Sequence, residues 1–211
     1  MTAGKVALFV LPSDDALDGD DVPPPAEGMA DRDDDQLMLL VAGGLRAAFD
    51  ALVIRHRRRM LRVATRYVRS PGLAHDVTQN TFLALYRSAP RYEPRGSFTA
   101  FLYRALLNEC RMVRRAAVSH ERLLTEVAVQ PIDAVDHATA EARILARERE
   151  RRVQRALDRL SEKLRVIVVL RYSGDLSYQE IAGVVDVPLG TVKRRLFDAL
   201  DRLRELLVEE P

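Results

Sequence analysis

The sequence predicts an all-α protein: two small helical domains joined by a flexible linker, the second ending in a helix-turn-helix. Three observations predict it. Apolar residues recur at helical spacing through most of residues 33–115 and 150–207. No stretch alternates at the period of a strand, and no internal repeat or glycine-rich phosphate loop competes. The composition agrees: 47% hydrophobic residues supply real cores, while 30% charged residues and only 10 glycines in 211 positions favour helix over sheet.

Residues 1–32 combine acids with Val22-Pro23-Pro24-Pro25 and little periodicity. Such a composition buries too little apolar surface to offset the entropy of ordering, so a disordered tail is expected, with ALFV at 7–10 open to a short strand or a docking segment. Asp33–Val41 reads as a helix with acids in its first turn, where they favour the dipole, stopped by Gly43-Gly44. Phe49, Leu52, Val53, His56, Met60, Val63 and Tyr67 then share one helical face, with arginines over much of the remainder. Ser70-Pro71-Gly72 ends that helix. A third helix over Leu73–Arg87 is apolar on most sides, which fits either the centre of a bundle or a partner surface. After a loop from Pro90 to Gly96, Ser97 is placed to cap a fourth helix from Phe98 to about Arg115.

Residues 117–149 lose strong periodicity and contain Pro131, so they read as a linker with helical stretches at its ends. The second unit, 150–211, opens with a stripe of Val153, Ala156, Leu157 and Leu160. Ser161 is placed to cap the next helix, which carries Leu164, Ile167, Val168 and Leu170 to a stop at Gly174. Ser177 followed by Glu180 is a capping box, and Leu176 with Ile181 forms a candidate hydrophobic staple. Asp186 falls where a turn wants a positive φ, which Asp tolerates. Pro188 and Gly190 mark the restart, and Val192, Leu196, Leu200, Leu203 and Leu207 stripe the last helix. Its other face carries Thr191, Arg194, Asp198 and Arg202, with Lys193 and Arg195 beside them. A short helix crossing a longer one with basic first turns is the geometry that lays side chains in a DNA major groove.

Charge points the same way. Residues 1–40 hold ten acids against Lys5 and Arg32, a balance of −8, whereas residues 41–120 hold fifteen arginines against four acids, a balance of +11. A basic block of that size indicates a polyanion partner, because neutralising phosphates releases counterions. Phe98, Phe101 and Tyr103 interleave with Arg104, Asn108, Arg111, Arg114 and Arg115, a mixture that suits single-stranded nucleic acid. Phe98, Phe101 and Leu102 are equally consistent with core, which leaves Tyr103 as the expected exposed stacking ring. The acidic tail is either a solubilising segment or a weak competitor for the basic block. The single Cys110 excludes an internal disulfide framework and any multi-cysteine metal site, and the four histidines lack metal-ligand spacing. With neither a membrane-length apolar run nor a convincing secretion signal, a cytoplasmic protein is expected. No paired carboxylates or Ser/His/Asp set argues for an enzyme, and no cofactor is expected.

Two separated blocks carry a family resemblance. AHDVTQNTFLALYRSAPRYEPRGSFTAFLYRALLNECRMVRR resembles region 2 of bacterial RNA polymerase sigma factors. RALDRLSEKLRVIVVLRYSGDLSYQEIAGVVDVPLGTVKRRLFDALDRLRELL resembles their region 4, with the GTVK tetrapeptide at Gly190–Lys193. Having only these two regions and a short linker, the chain is similar to the extracytoplasmic-function group. The resemblance implies a region 2-like domain at 33–116 and a region 4-like domain at 150–211. It implies that Asp76, Gln79, Asn80, Phe82 and Tyr86 contact core RNA polymerase, with Asn80 in place of the usual acid and Tyr86 where Trp is usual. Tyr103, Arg104, Asn108, Arg111, Arg114 and Arg115 would hold and open the −10 promoter element, with Met112 where the family often has Asp. Thr191, Lys193, Arg194, Arg195, Asp198 and Arg202 would read or clamp the −35 element, with Arg194 in place of a common Ser. The implied partners are core RNA polymerase and promoter DNA, with room for an anti-sigma factor and no membrane insertion. The rival reading is a stand-alone helix-turn-helix regulator with a helical sensory domain.

Overall fold

The computed structural model describes residues 28–94, 97–121 and 140–209. They form eight α-helices: α1 (Asp34–Ala42), α2 (Arg46–Val68), α3 (Pro71–Ser88), α4 (Phe98–Glu121), α5 (Ala140–Arg159), α6 (Glu162–Tyr172), α7 (Tyr178–Val185) and α8 (Leu189–Glu209). A 3-10 turn at Ala89–Arg91 lies between α3 and α4, and there is no strand among the described residues. The predicted linker is helical at both ends, since α4 runs on to Glu121 and α5 begins at Ala140. Its middle, residues 122–139, and the tail residues 1–27 with their ALFV segment lie outside the described residues. None of the described helices is long and apolar enough to cross a membrane.

In the first unit α1 starts on a capping box: Gln36 N–H donates to Asp33 Oδ1 at 2.7 Å and Asp33 N–H to Gln36 Oε1 at 3.3 Å. Asp34 then pins α1 to α2, accepting from Arg55 at 2.5 Å and pairing with His56 Nε2 at 2.8 Å. Burial raises the Asp34 carboxyl, but the His56 and Arg55 contacts outweigh it and leave its pKa below the ordinary value. The expected stop at Ser70-Pro71-Gly72 is partly a start. Arg69 closes α2 with a left-handed φ of 62°, whereas Ser70 Oγ accepts from Leu73 N–H and Pro71 opens α3. The core between these helices is built from Leu52, Met60 and Val63 of α2, Phe82 and Leu85 of α3, and Leu102 and Leu106 of α4.

In the second unit Leu157, Leu160, Ile167, Leu170, Ile181, Val192, Leu196 and Ala199 are buried together. Ser161 does not cap α6 through its side chain as expected; its carbonyl instead accepts from Leu164 and Arg165 N–H at 3.0 and 2.9 Å. The stop at Gly174 has a steric reason. A Cβ there would lie 2.8 Å from the Leu170 carbonyl oxygen and 3.2 Å from Val63 Cγ2, so only glycine lets the end of α6 lie against α2. The two units therefore touch, along α6 on α2 and α7 on α4.

Candidate nucleic-acid interface

The helix-turn-helix forms for the local reasons the sequence carries. Glu180 N–H donates to Ser177 Oγ at 3.2 Å, and Ser177 N–H donates to Glu180 Oε2 at 2.8 Å. Leu176 and Ile181, the staple pair, are both buried. Asp186 adopts φ 52°, ψ 56°, and its N–H returns to the Ala182 carbonyl. The Pro188 carbonyl accepts from Thr191 and Val192 N–H at 2.9 and 3.2 Å, which starts α8. Val192, Leu196, Ala199 and Leu206 anchor α8, while Leu200, Leu203 and Leu207 of the expected stripe are only partly buried. This packing leaves Lys193, Arg194, Asp198 and Arg202 exposed, with Thr191 and Arg195 half-buried. Arg194 Nε lies 4.0 Å from Asp198 Oδ2, one turn along. Arg202 pairs with Glu205 at 2.6 Å, away from that turn. The sequence reading missed Phe197, which is 64% exposed beside Asp198 and three residues from Arg194. The signal was there, in a large aromatic lying one position off the buried stripe.

On α4 the structure corrects one expectation. Tyr103 is not an exposed stacking ring; it is 1% exposed, its hydroxyl has no hydrogen-bond partner, and burial pushes its phenol well above its ordinary pKa. The cause is the second unit, whose α7 packs on α4 so closely that a Cβ on Gly183 would sit 3.3 Å from Ala100 Cβ. The other rings are core as well: Phe98 is buried, and Tyr92 meets Phe98 and Phe101 edge-on at 6.2 and 5.4 Å. Arg104 and Asn108 remain exposed. Arg111 donates to Asn108 Oδ1 at 3.4 Å and to Glu162 Oε1 at 3.1 Å, and Arg115 donates to the Arg111 carbonyl at 3.3 Å. Arg114 lies over the Tyr67 ring, 5.6 Å from its centroid. Of the six residues expected at this face, Asn108, Arg111 and Arg115 are brought together, Arg104 stands free of the α7 contact, and Tyr103 is withdrawn.

A second correction concerns Phe82. It is 1% exposed and packs edge-on against Phe49 at 6.3 Å, so it supports the α3 surface from within. Asp76, Asn80 and Tyr86 are exposed on α3 and Gln79 is half-buried, giving a mixed polar and aromatic edge. Cys110 is buried with its thiol pushed up to about 12 by desolvation, which makes it an inert core residue.

Family models match both units in order: sigma-70 region 2 over residues 52–119 and sigma-70 region 4 over residues 150–203. The chain is 31% identical over 187 residues to the RNA polymerase sigma-H factor of Pseudomonas aeruginosa, covering 84% of this chain and 96% of that protein. It is 31% identical over 179 residues to the ECF RNA polymerase sigma-E factor of Escherichia coli K12, covering 81% and 92%. Among solved structures, CnrH in complex with the cytosolic domain of CnrY matches with a TM-score of 0.63 and 26% identity over 84% of this chain and 99% of that one. The sigma factor RpoE of Bartonella quintana, in complex with the anti-sigma factor NepR, shares the fold with a TM-score of 0.53 at 22% identity, covering 83% and 97%.

Proposed function

We propose, given that the chain belongs to the extracytoplasmic-function group of bacterial RNA polymerase sigma factors, that its two units divide promoter recognition between them. The protein is a sigma factor that binds core RNA polymerase, directs it to promoters and helps to open the DNA. In the division proposed here, α7–α8 takes the −35 element as duplex, α4 takes the −10 element as separated strand, and the exposed edge of α3 docks on the polymerase. The observation that carries this is the match of both family models, in order, to two helical units of which the second exposes Lys193 and Arg194 at the start of α8.

On this reading Arg194 reaches a base edge in the major groove, Lys193 and Arg202 neutralise phosphates, and Phe197 offers apolar contact to a thymine methyl. Arg104, Asn108, Arg111 and Arg115 follow the opened strand, whose unstacking costs a few kcal/mol per base that these contacts must offset. The polymerase supplies the catalysis, so no reaction is assigned to this chain's own side chains, and the protein acts wherever the polymerase does. A protein inhibitor of the anti-sigma class is a third partner, in line with CnrH, solved with the cytosolic domain of CnrY. Run-off transcription by core polymerase plus this protein on a library of promoter templates is the direct test. Selected templates should yield transcripts only when both components are present. DNA binding without any polymerase partnership would favour a stand-alone regulator and sink the proposal.

A further inference from the structure

Arginines on α2 and α4 face carboxylates of the second unit across the contact between the two halves. Arg66 pairs with Glu150 at 3.1 Å, Arg69 with Asp158, and Arg111 with Glu162 at 3.1 Å. Arg62 holds Asp175 at 2.5 Å and donates to the Ser173 carbonyl at 2.9 Å. The Tyr67 hydroxyl also donates to Glu162. Arg165, buried at 7% exposure, lies 3.7 Å from Asp158 and donates to the Leu160 carbonyl at 3.0 Å, which fixes that carboxylate in place.

Two further features mark this seam. Three non-glycine residues have positive φ among the described residues, and two of them, Arg69 (62°) and Asp175 (54°), supply seam pairs. Glycine would relieve the backbone at either position but would remove the side chain that bridges the halves; strain kept in this way points to use. The fit is also incomplete, because Tyr103 is sealed between α4 and α7 with an unpartnered hydroxyl, at a cost in desolvation.

We infer that Glu150, Asp158, Glu162 and Asp175 stand in for DNA phosphates on the arginines of the first unit and hold the free protein closed, with its −10 face covered by its own second half. This rests on the assignment of the −10 element to α4. Carboxylate and phosphate make the same charge-assisted contacts to guanidinium, so one set displaces the other. The individual pairs are weak because they are largely exposed: Arg62 and Asp175 keep 41% and 57% of their side-chain surface. The closed state is therefore a sum of small terms that yields to salt, to a single strand of promoter DNA, or to a polymerase that binds the halves apart. Apparent DNA affinity then falls by the fraction of molecules that are open.

The test uses the full chain in two forms that open the seam by different means. One replaces Asp158→Asn, Glu162→Gln and Asp175→Asn. The other, Gly183→Leu, wedges α7 off α4 without changing any charge, which separates opening from a mere shift in net charge. Small-angle scattering reads the opening, and titration with a fluorescent single-stranded −10 oligonucleotide reads the affinity. Both forms should expand at low salt and bind the oligonucleotide about tenfold more tightly than the parent, and the parent should close this gap as salt opens it. Unchanged dimensions in both forms, or expansion with no gain in affinity while Arg104→Ala and Asn108→Ala still weaken binding, overturns the inference and leaves the −10 assignment standing. If Arg104→Ala and Asn108→Ala have no effect even in the opened forms, the −10 assignment itself fails and the inference falls with it.

Discussion

At the scale of single residues, Arg194 and Lys193 occupy adjacent positions with different tasks. Arg194 is 85% exposed at its side chain and lies 4.0 Å from Asp198, which is close enough to orient a guanidinium but too exposed to hold it strongly. A planar fork so oriented suits a bidentate contact to one base, which discriminates by about 1–3 kcal/mol. Lys193 is a point charge and suits phosphate. Arg194→Ala should therefore relax preference at one or two positions of a randomised −35 site, whereas Lys193→Ala should weaken all sequences alike and flatten the salt dependence. Selection profiles of the two variants check this, and identical profiles would remove direct readout from Arg194. Asp198→Ala belongs in the same experiment, since an unoriented Arg194 should read its base less sharply.

At the scale of elements, two serines that look alike in the sequence behave differently. Ser177 accepts from Glu180 N–H and completes a reciprocal box, while Ser161 makes no side-chain cap bond. Ser177→Ala should cost about 1 kcal/mol of stability, and Ser161→Ala should fall well below that. Equilibrium denaturation of both variants measures the difference, and equal losses would show that the Ser177 cap is not what starts α7. The same contrast explains what was legible in the sequence. Caps, turns and stripes depend on neighbours three or four residues away, so α1, α7, the Asp186 turn and the buried face of α8 could be read from spacing. Tyr103 and Phe82 could not, because their burial is decided by helices far along the chain: α7 covers one and α2 the other. Phe197 was overlooked for a related reason, since one exposed ring beside a regular stripe reads as part of it. The seam arginines were visible only as charge, and their acidic partners lie 51 to 113 residues away.

At the scale of the whole molecule, closure of the two halves is tied to pH through Glu162. Burial raises its carboxyl, but the hydrogen bonds from Tyr67 and Arg111 prevail and leave its pKa below the ordinary 4.5. A carboxylate depressed in the closed state contributes stability that is fully present above its ordinary pKa and is lost as pH falls through the depressed value. Tyr67 sets the other limit. Burial first, and then the Glu162 contact, raise its phenol well above the ordinary 10.0. A group raised in this way contributes fully below its ordinary pKa and loses that contribution as pH rises through the elevated one. Closure should thus be flat across the neutral range and weaken below about pH 4.5 and above about pH 10. Asp34 is depressed too, and it belongs to the α1–α2 contact, so acid acts on the first unit as well as on the seam. Glu162→Gln separates the two effects. In that variant the acid-side expansion seen by small-angle scattering should lose its Glu162 component, while the loosening of α1, followed by amide exchange at Leu37 and Met38, should keep its pH dependence. Expansion of parent and variant along the same acid curve would show that closure is not linked to Glu162.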